Sequence, residues 1–128
     1  MKADARRLLA FDAAAGALAG TALFALREPI VAWTGLPDPV LDFTGGANLA
    51  YALYAGTLTA CAALGRPPGR AAMRALVFAN GAWTVPCAVL AFATAPTANA
   101  LGTAALVAEG VFVGVLALVE ARVLLRRG

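Results

Sequence analysis

Four long apolar runs, separated by short breaks rich in proline, glycine and charge, constrain this chain more than any other feature. They fall at about residues 8–26, 43–65, 71–95 and 98–125. Each reaches the ~20 residues that an α-helix needs to cross a ~30 Å hydrocarbon layer. Of the 128 residues, 62% are hydrophobic and 13% are charged, against about 25% charged in an ordinary soluble domain. A chain this short has too much surface to hide so much apolar material from water. The expected fold is one all-α domain over residues 1–128, an integral membrane four-helix up-down bundle.

The breaks set the topology. Met1-Lys2-Ala3-Asp4-Ala5-Arg6-Arg7 is a basic leader. The run after it is longer than the core of a signal peptide, carries Asp12 and lacks a convincing small-residue cleavage site, so it reads as a retained helix. Residues 27–42 form the longest connection, with Pro29, Pro37 and Pro39 as breakers. Ile30, Val31 and Trp33 lie inside it and suit a segment resting on the headgroups, with tryptophan at the boundary. A lid over a substrate is the other reading of so long a loop. Arg66-Pro-Pro-Gly-Arg70 cannot continue a helix and forces an antiparallel neighbour. Arg74, one turn later, is placed to snorkel to the interface. Pro96-Thr-Ala-Asn99 is a short uncharged turn.

Nine of the ten Lys and Arg residues sit in the leader, the 66–74 turn and the C-terminal end; Arg27 is the exception. By the positive-inside rule both termini are expected in the cytoplasm, with 27–42 on the far side. The formal charge of +3 is thus a matter of orientation, and nucleic acid is not an expected partner.

Inside the runs, a few polar groups stand out. Glu109 lies about eleven residues into the fourth run, or ~16 Å, close to the middle of the hydrocarbon. An ionised carboxylate there costs ~2.5–3.5 kcal/mol on insertion scales, so the group is expected in its neutral form unless a base or a file of water reaches it. Ala105, Glu109, Val113, Leu116 and Glu120 share one helical face. Asn80 and Tyr54 are at similar depth, and an Asn80–Glu109 hydrogen bond is the simplest pairing. Asn48, Tyr51, Ala55 and Thr59 form one stripe, and Asn80, Trp83, Thr84 and Cys87 another. Asn48 suits a bond to a neighbouring helix, and Tyr51 an aromatic belt. Asp12 lies nearer the basic end, within reach of Arg74 or the terminal arginines. Glu120, beside Arg122 and Arg126, is expected at the interface. Pro86 frees the carbonyl of Ala82, for which Thr84 or a water is the expected partner. Asn48-Leu-Ala-Tyr51 and Asn80-Gly-Ala-Trp83 echo one another, although four residues do not make a repeat.

Two glycine pairs, Gly16 with Gly20 and Gly110 with Gly114, have the spacing that lets helices approach closely in lipid. The chain has no histidine, and Cys61 and Cys87 are expected near opposite faces of the bilayer, too far apart for a disulfide. Neither a haem ligand, a zinc ligand set nor a nucleophile–base arrangement is visible. No cofactor, metal or enzymatic activity is expected.

The Asn80-x-x-Trp83 step and the Leu116-Ala117-x-x-Glu120 ending before a basic tail resemble small four-helix bacterial inner-membrane proteins of unassigned activity. The resemblance implies a multi-pass protein of that membrane and brings no functional residues with it. Small multidrug transporters share the length, the helix count and an acid in the first helix. Here the midplane acid is in the fourth helix, and the charge bias fixes one orientation.

Two functions are expected to compete, with docking or scaffolding slightly ahead. In one, the chain is an accessory or scaffolding subunit that docks on a membrane-protein partner, or on a second copy, through its glycine faces. In the other it is a proton-linked small-molecule carrier or lipophilic ligand binder, using Glu109 with Asn80, Tyr54, Asn48 and Asp12. For Glu109 itself, a protonated acid that merely locks two helices together competes with a ligand or proton site.

Overall fold

The computed structural model describes residues 1–125, and the expected C-terminal basic pair Arg126 and Arg127 lies outside the described residues. The described chain is all-helical, with five helices: α1 Ala3–Ala25, α2 Arg27–Thr34, α3 Asp38–Ala63, α4 Arg70–Ala93 and α5 Ala100–Leu124. α1, α4 and α5 are long and apolar enough to cross a membrane. α3 is as long, at 26 residues, but Thr44, Asn48, Tyr51, Tyr54, Thr57 and Thr59 break up its apolar surface.

The extra helix corrects the expectation for residues 27–42. Pro29 lacks an N–H and its ring crowds the carbonyl four residues back, so α1 cannot run straight through. The chain turns at Leu26 and resumes at once as α2. α2 ends at Gly35, whose positive φ of 67° closes the last turn through a bond from its N–H to the Val31 carbonyl. α3 then begins at Asp38 with Pro39 in its first turn, where a missing N–H costs nothing. The leader is likewise helical from Ala3 onward. α4 is one continuous helix through Pro86, and the Thr84 hydroxyl donates to the carbonyl of Gly81, not to that of Ala82.

α1 lies along α3, and α4 along α5; these two tight hairpins then face one another, with α1 beside α5 and α3 beside α4. The diagonal partners are therefore α1 with α4 and α3 with α5. Close approach of α1 to α3 depends on glycine: a Cβ on Gly16 would stand 2.9 Å from the Asn48 carbonyl oxygen, and one on Gly20 would stand 2.9 Å from that of Gly45. On the other hairpin, Gly110 and Gly114 sit against Cys87 and Thr84 of α4. Both glycine pairs thus pack inside the chain.

Two apolar plugs close the ends of the bundle. Ala5, Leu9, Ala55, Leu58, Leu76 and Leu124 fill the end that carries Lys2, Arg70 and Arg122. Leu36, Val40, Leu41, Ala91 and Leu106 fill the other, under α2. Asn99 ties that second end together: its side chain caps α5 at Gly102 and donates to the Trp33 carbonyl at 2.6 Å. Trp33 is itself 65% exposed. Outside, Leu18, Leu53, Phe78, Phe92 and Leu118 point away from the bundle, a surface suited to lipid, not to water.

Candidate functional site

Between the two plugs the interior turns polar. Six side chains from all four long helices line one cavity of about 440 Å³: Asp12, Asn48, Tyr51, Asn80, Trp83 and Glu109. The remaining wall is apolar, from Ala15, Ala19 and Leu23 of α1 and from Ala108, Phe112 and Val113 of α5. Ala19, Ala108 and Phe112 are exposed to the outside as well as lining the cavity, so the cavity opens sideways between α1 and α5. Phe11 and Phe112 bridge that same gap with ring centres 6.2 Å apart.

Glu109 points inward. Its Oε1 accepts the Asn48 amide at 2.8 Å and the Trp83 indole N–H at 3.0 Å. Each donor is held from behind. The Asn48 amide also donates to the Thr44 carbonyl one turn back, at 2.9 Å. The Trp83 ring is wedged between Phe43 and Tyr51, at 5.4 and 6.0 Å. Tyr51 is fixed in turn by donating to the Ala79 carbonyl at 2.9 Å. Two donors therefore converge on one oxygen, and Oε2 has no hydrogen-bond partner among the described residues.

A second acid group lies deeper. The Asn80 amide donates to Asp12 at 3.2 Å and to Glu120 at 2.9 Å. Asp12 is 5% exposed, Asn80 2% and Glu120 0%. Asp12 and Asn80 form the floor of the cavity, and Glu120 sits behind them. Each acid group joins a diagonal pair of helices, α3 to α5 through Asn48 and Glu109, and α1 to α4 through Asp12 and Asn80. Side-chain hydrogen bonds thus join helices whose backbones do not touch.

Several expectations change here. Asn80 does not bond Glu109; it serves Asp12 and Glu120, while Asn48 and Trp83 take Glu109. Glu120 is not an interfacial residue but the most buried acid, because it falls on the same inward face of α5 as Glu109. Asp12 meets Asn80, and Arg74 stays exposed near the start of α4. Tyr54 is outside the cavity, 39% exposed, with its hydroxyl on the Ala72 carbonyl. It sits three residues round the helix from Tyr51, which takes the inward place. Tyr51 and Trp83 are the site residues that depth alone missed. The signal for both was the shared stripe with Asn48 and Asn80.

Among the described residues, the ion pairs are confined to the far end. Arg27 pairs there with Asp42 and, at 3.2 Å, with Asp38. Hydrogen bonds to Asp42 and then Asp38 hold the guanidinium above its ordinary range. No group of three or more metal-ligating side chains occurs among the described residues. Cys61 and Cys87 are both free thiols, Cys87 buried against Trp83 and Val113. Compared with protein-family models, curated proteins and solved structures, the chain matches none of them.

Proposed function

We propose that this chain is a multi-pass membrane protein that binds a small lipophilic molecule bearing an N–H donor or a cationic amine, in the cavity that Glu109 lines. The observation that carries the reading is the half-satisfied carboxyl. Oε1 is pinned by two donors, whereas Oε2 is left without a protein partner in a largely apolar cavity of about 440 Å³. That volume lies within the usual range for small-molecule sites, and a few convergent polar groups on apolar walls are their usual chemistry. An opening between α1 and α5 suits a ligand that arrives from the lipid. Trp83 and Tyr51 supply flat apolar faces, and Glu109 supplies the acceptor or counter-charge.

In this reading four helices span the bilayer, α3 among them with Phe43 and Leu53 turned outward, and α2 lies across the far end at the headgroups. The end carrying Lys2, Arg66, Arg70, Arg74 and Arg122 faces the cytoplasm, in the bacterial inner membrane that the resemblance implies. Docking through the glycine faces is the weaker reading, because Gly16, Gly20, Gly110 and Gly114 are already packed against helices of the same chain. What favours it is an outer groove between α4 and α5, about 480 Å³, lined by Gly110 and Gly114 beside Leu118. A partner's apolar helix would fit there.

Purification in mild detergent, followed by mass spectrometry of what co-elutes, separates the two. A stoichiometric small molecule, retained by the native chain and lost from Glu109→Gln, supports the cavity. A stoichiometric protein, retained by Glu109→Gln and lost on Gly110→Leu, supports docking and displaces the ligand reading.

A further inference from the structure

The acid pair under the cavity floor has a feature that packing does not explain. Glu120 is fully buried, and its Oε1 finds no N–H or O–H donor among the described residues. Its other oxygen takes one Asn80 hydrogen, and Asp12 takes the second. One Asn80 nitrogen donates to both carboxyls, at 3.2 and 2.9 Å, and so holds them side by side. Two carboxylates have no donor to place between them, so a direct bond between neighbours of this kind forms only if one of them carries a proton. Two unshared negative charges side by side in an apolar interior repel strongly, and a single proton between them removes both the repulsion and the orphaned oxygen.

We propose that Asp12 and Glu120 form a proton-binding site, the two carboxyls holding one proton between them and Asn80 holding the carboxyls. The ligand is the proton itself. When it is bound, one carboxyl donates to the other; when it leaves, it passes to water in the cavity through Asp12, and the pair carries both charges against the Asn80 amide. Only Asp12 and Asn80 reach the cavity. On the opposite side Leu9, Leu58, Leu76 and Leu124 close the way to the basic end. The facing groups are few: Tyr51 from α3 lines the same cavity as Asp12, and Asn80 from α4 donates to both carboxyls. No arginine or lysine pairs with either acid among the described residues, so no fixed positive charge takes the proton's place. The site does not involve Glu109 and stands whether or not the cavity takes a ligand.

Infrared spectroscopy of the full chain in lipid nanodiscs at neutral pH tests this. The expected spectrum shows a protonated-carboxyl stretch that persists in Glu109→Gln and is lost from that background in Glu120→Gln. In Asp12→Asn the stretch remains but moves in frequency, because the shared bond is gone; this variant serves if Glu120→Gln does not fold. The proposal is overturned if the native chain shows no such stretch, if Glu109→Gln removes it, or if Asp12→Asn leaves its frequency unchanged. It is also overturned if the stretch disappears when sodium replaces choline in the buffer, since the pair would then hold a metal cation.

Discussion

Glu109 and Glu120 lie on one face of the same helix, eleven residues or about 16 Å apart, and their surroundings differ in every respect that matters. Glu109 is half-buried, with two donors on one oxygen and the other oxygen facing a cavity open to the side. Glu120 is closed in, with one donor, a second carboxyl beside it and leucines behind it. Depth along the helix therefore does not decide what a membrane carboxyl does. What decides it is the helix across from it: at Glu109 the gap between α1 and α5 opens a cavity, and at Glu120 the Asn80 amide and a second carboxyl close the site.

The largest expected effect is on the closed group. Asn80→Ala strips both Asp12 and Glu120 of their donor and should lower stability by about 2 kcal/mol. That is well above the ~0.6 kcal/mol average for a hydrogen bond between membrane helices, because two buried carboxyls are orphaned at once. Reversible unfolding in mixed micelles measures it. A loss no larger than that from Asn48→Ala would erase the contrast between the two groups.

Next comes the open group. Glu109→Gln keeps shape and one acceptor oxygen for Asn48 and Trp83, so stability should change little, while binding of an amine falls tenfold or more, about 1.4 kcal/mol. Isothermal titration with a medium-chain alkylamine reads the ratio. Equal binding by both forms would make Glu109 a helix lock.

The two tyrosines sharpen the comparison at lower energy. Tyr51→Phe removes a hydroxyl that joins α3 to α4 beside Trp83 and should cost about 0.6 kcal/mol. Tyr54→Phe removes an exposed one and should be silent in the same unfolding assay. At the far end, Arg27→Gln should have the smallest effect, since exposed ion pairs contribute little. Its contribution should fade with added salt and not with alkaline pH, because the raised guanidinium keeps its proton through any pH at which the chain is studied.

Much of this was legible in the sequence. Apolar length showed the long helices, and period showed that Glu109 and Glu120 share a face with Val113 and Leu116. Spacing by four placed Gly16 and Gly20 together, and the stripes through Asn48 and Tyr51 and through Asn80 and Trp83 contained every polar residue of the cavity except the acids. Pairing was not legible. Assigning partners by depth matched Asn80 to Glu109 because both fall near mid-membrane, but depth is one coordinate and the diagonal arrangement of α1 with α4 supplies the other two. Glu120 was misplaced because its neighbours in sequence, Arg122 and Arg126, suggested an interface. A residue two positions along a helix points elsewhere, and the inward angle decided. α2 was hidden by Pro29 inside it and by Pro37 and Pro39 after it, since a proline marks where a helix bends and restarts as readily as where it stops.

The central claim is that Glu109 and Trp83 face a cavity that admits an amine-bearing guest. The chain has two tryptophans, so Trp33→Phe leaves Trp83 as the reporter. In nanodiscs, titration with hexylammonium should shift Trp83 fluorescence saturably, and Glu109→Gln added to the same chain should abolish the saturable part. A fluorescence that does not respond, or one that responds equally with glutamine at position 109, would contradict it.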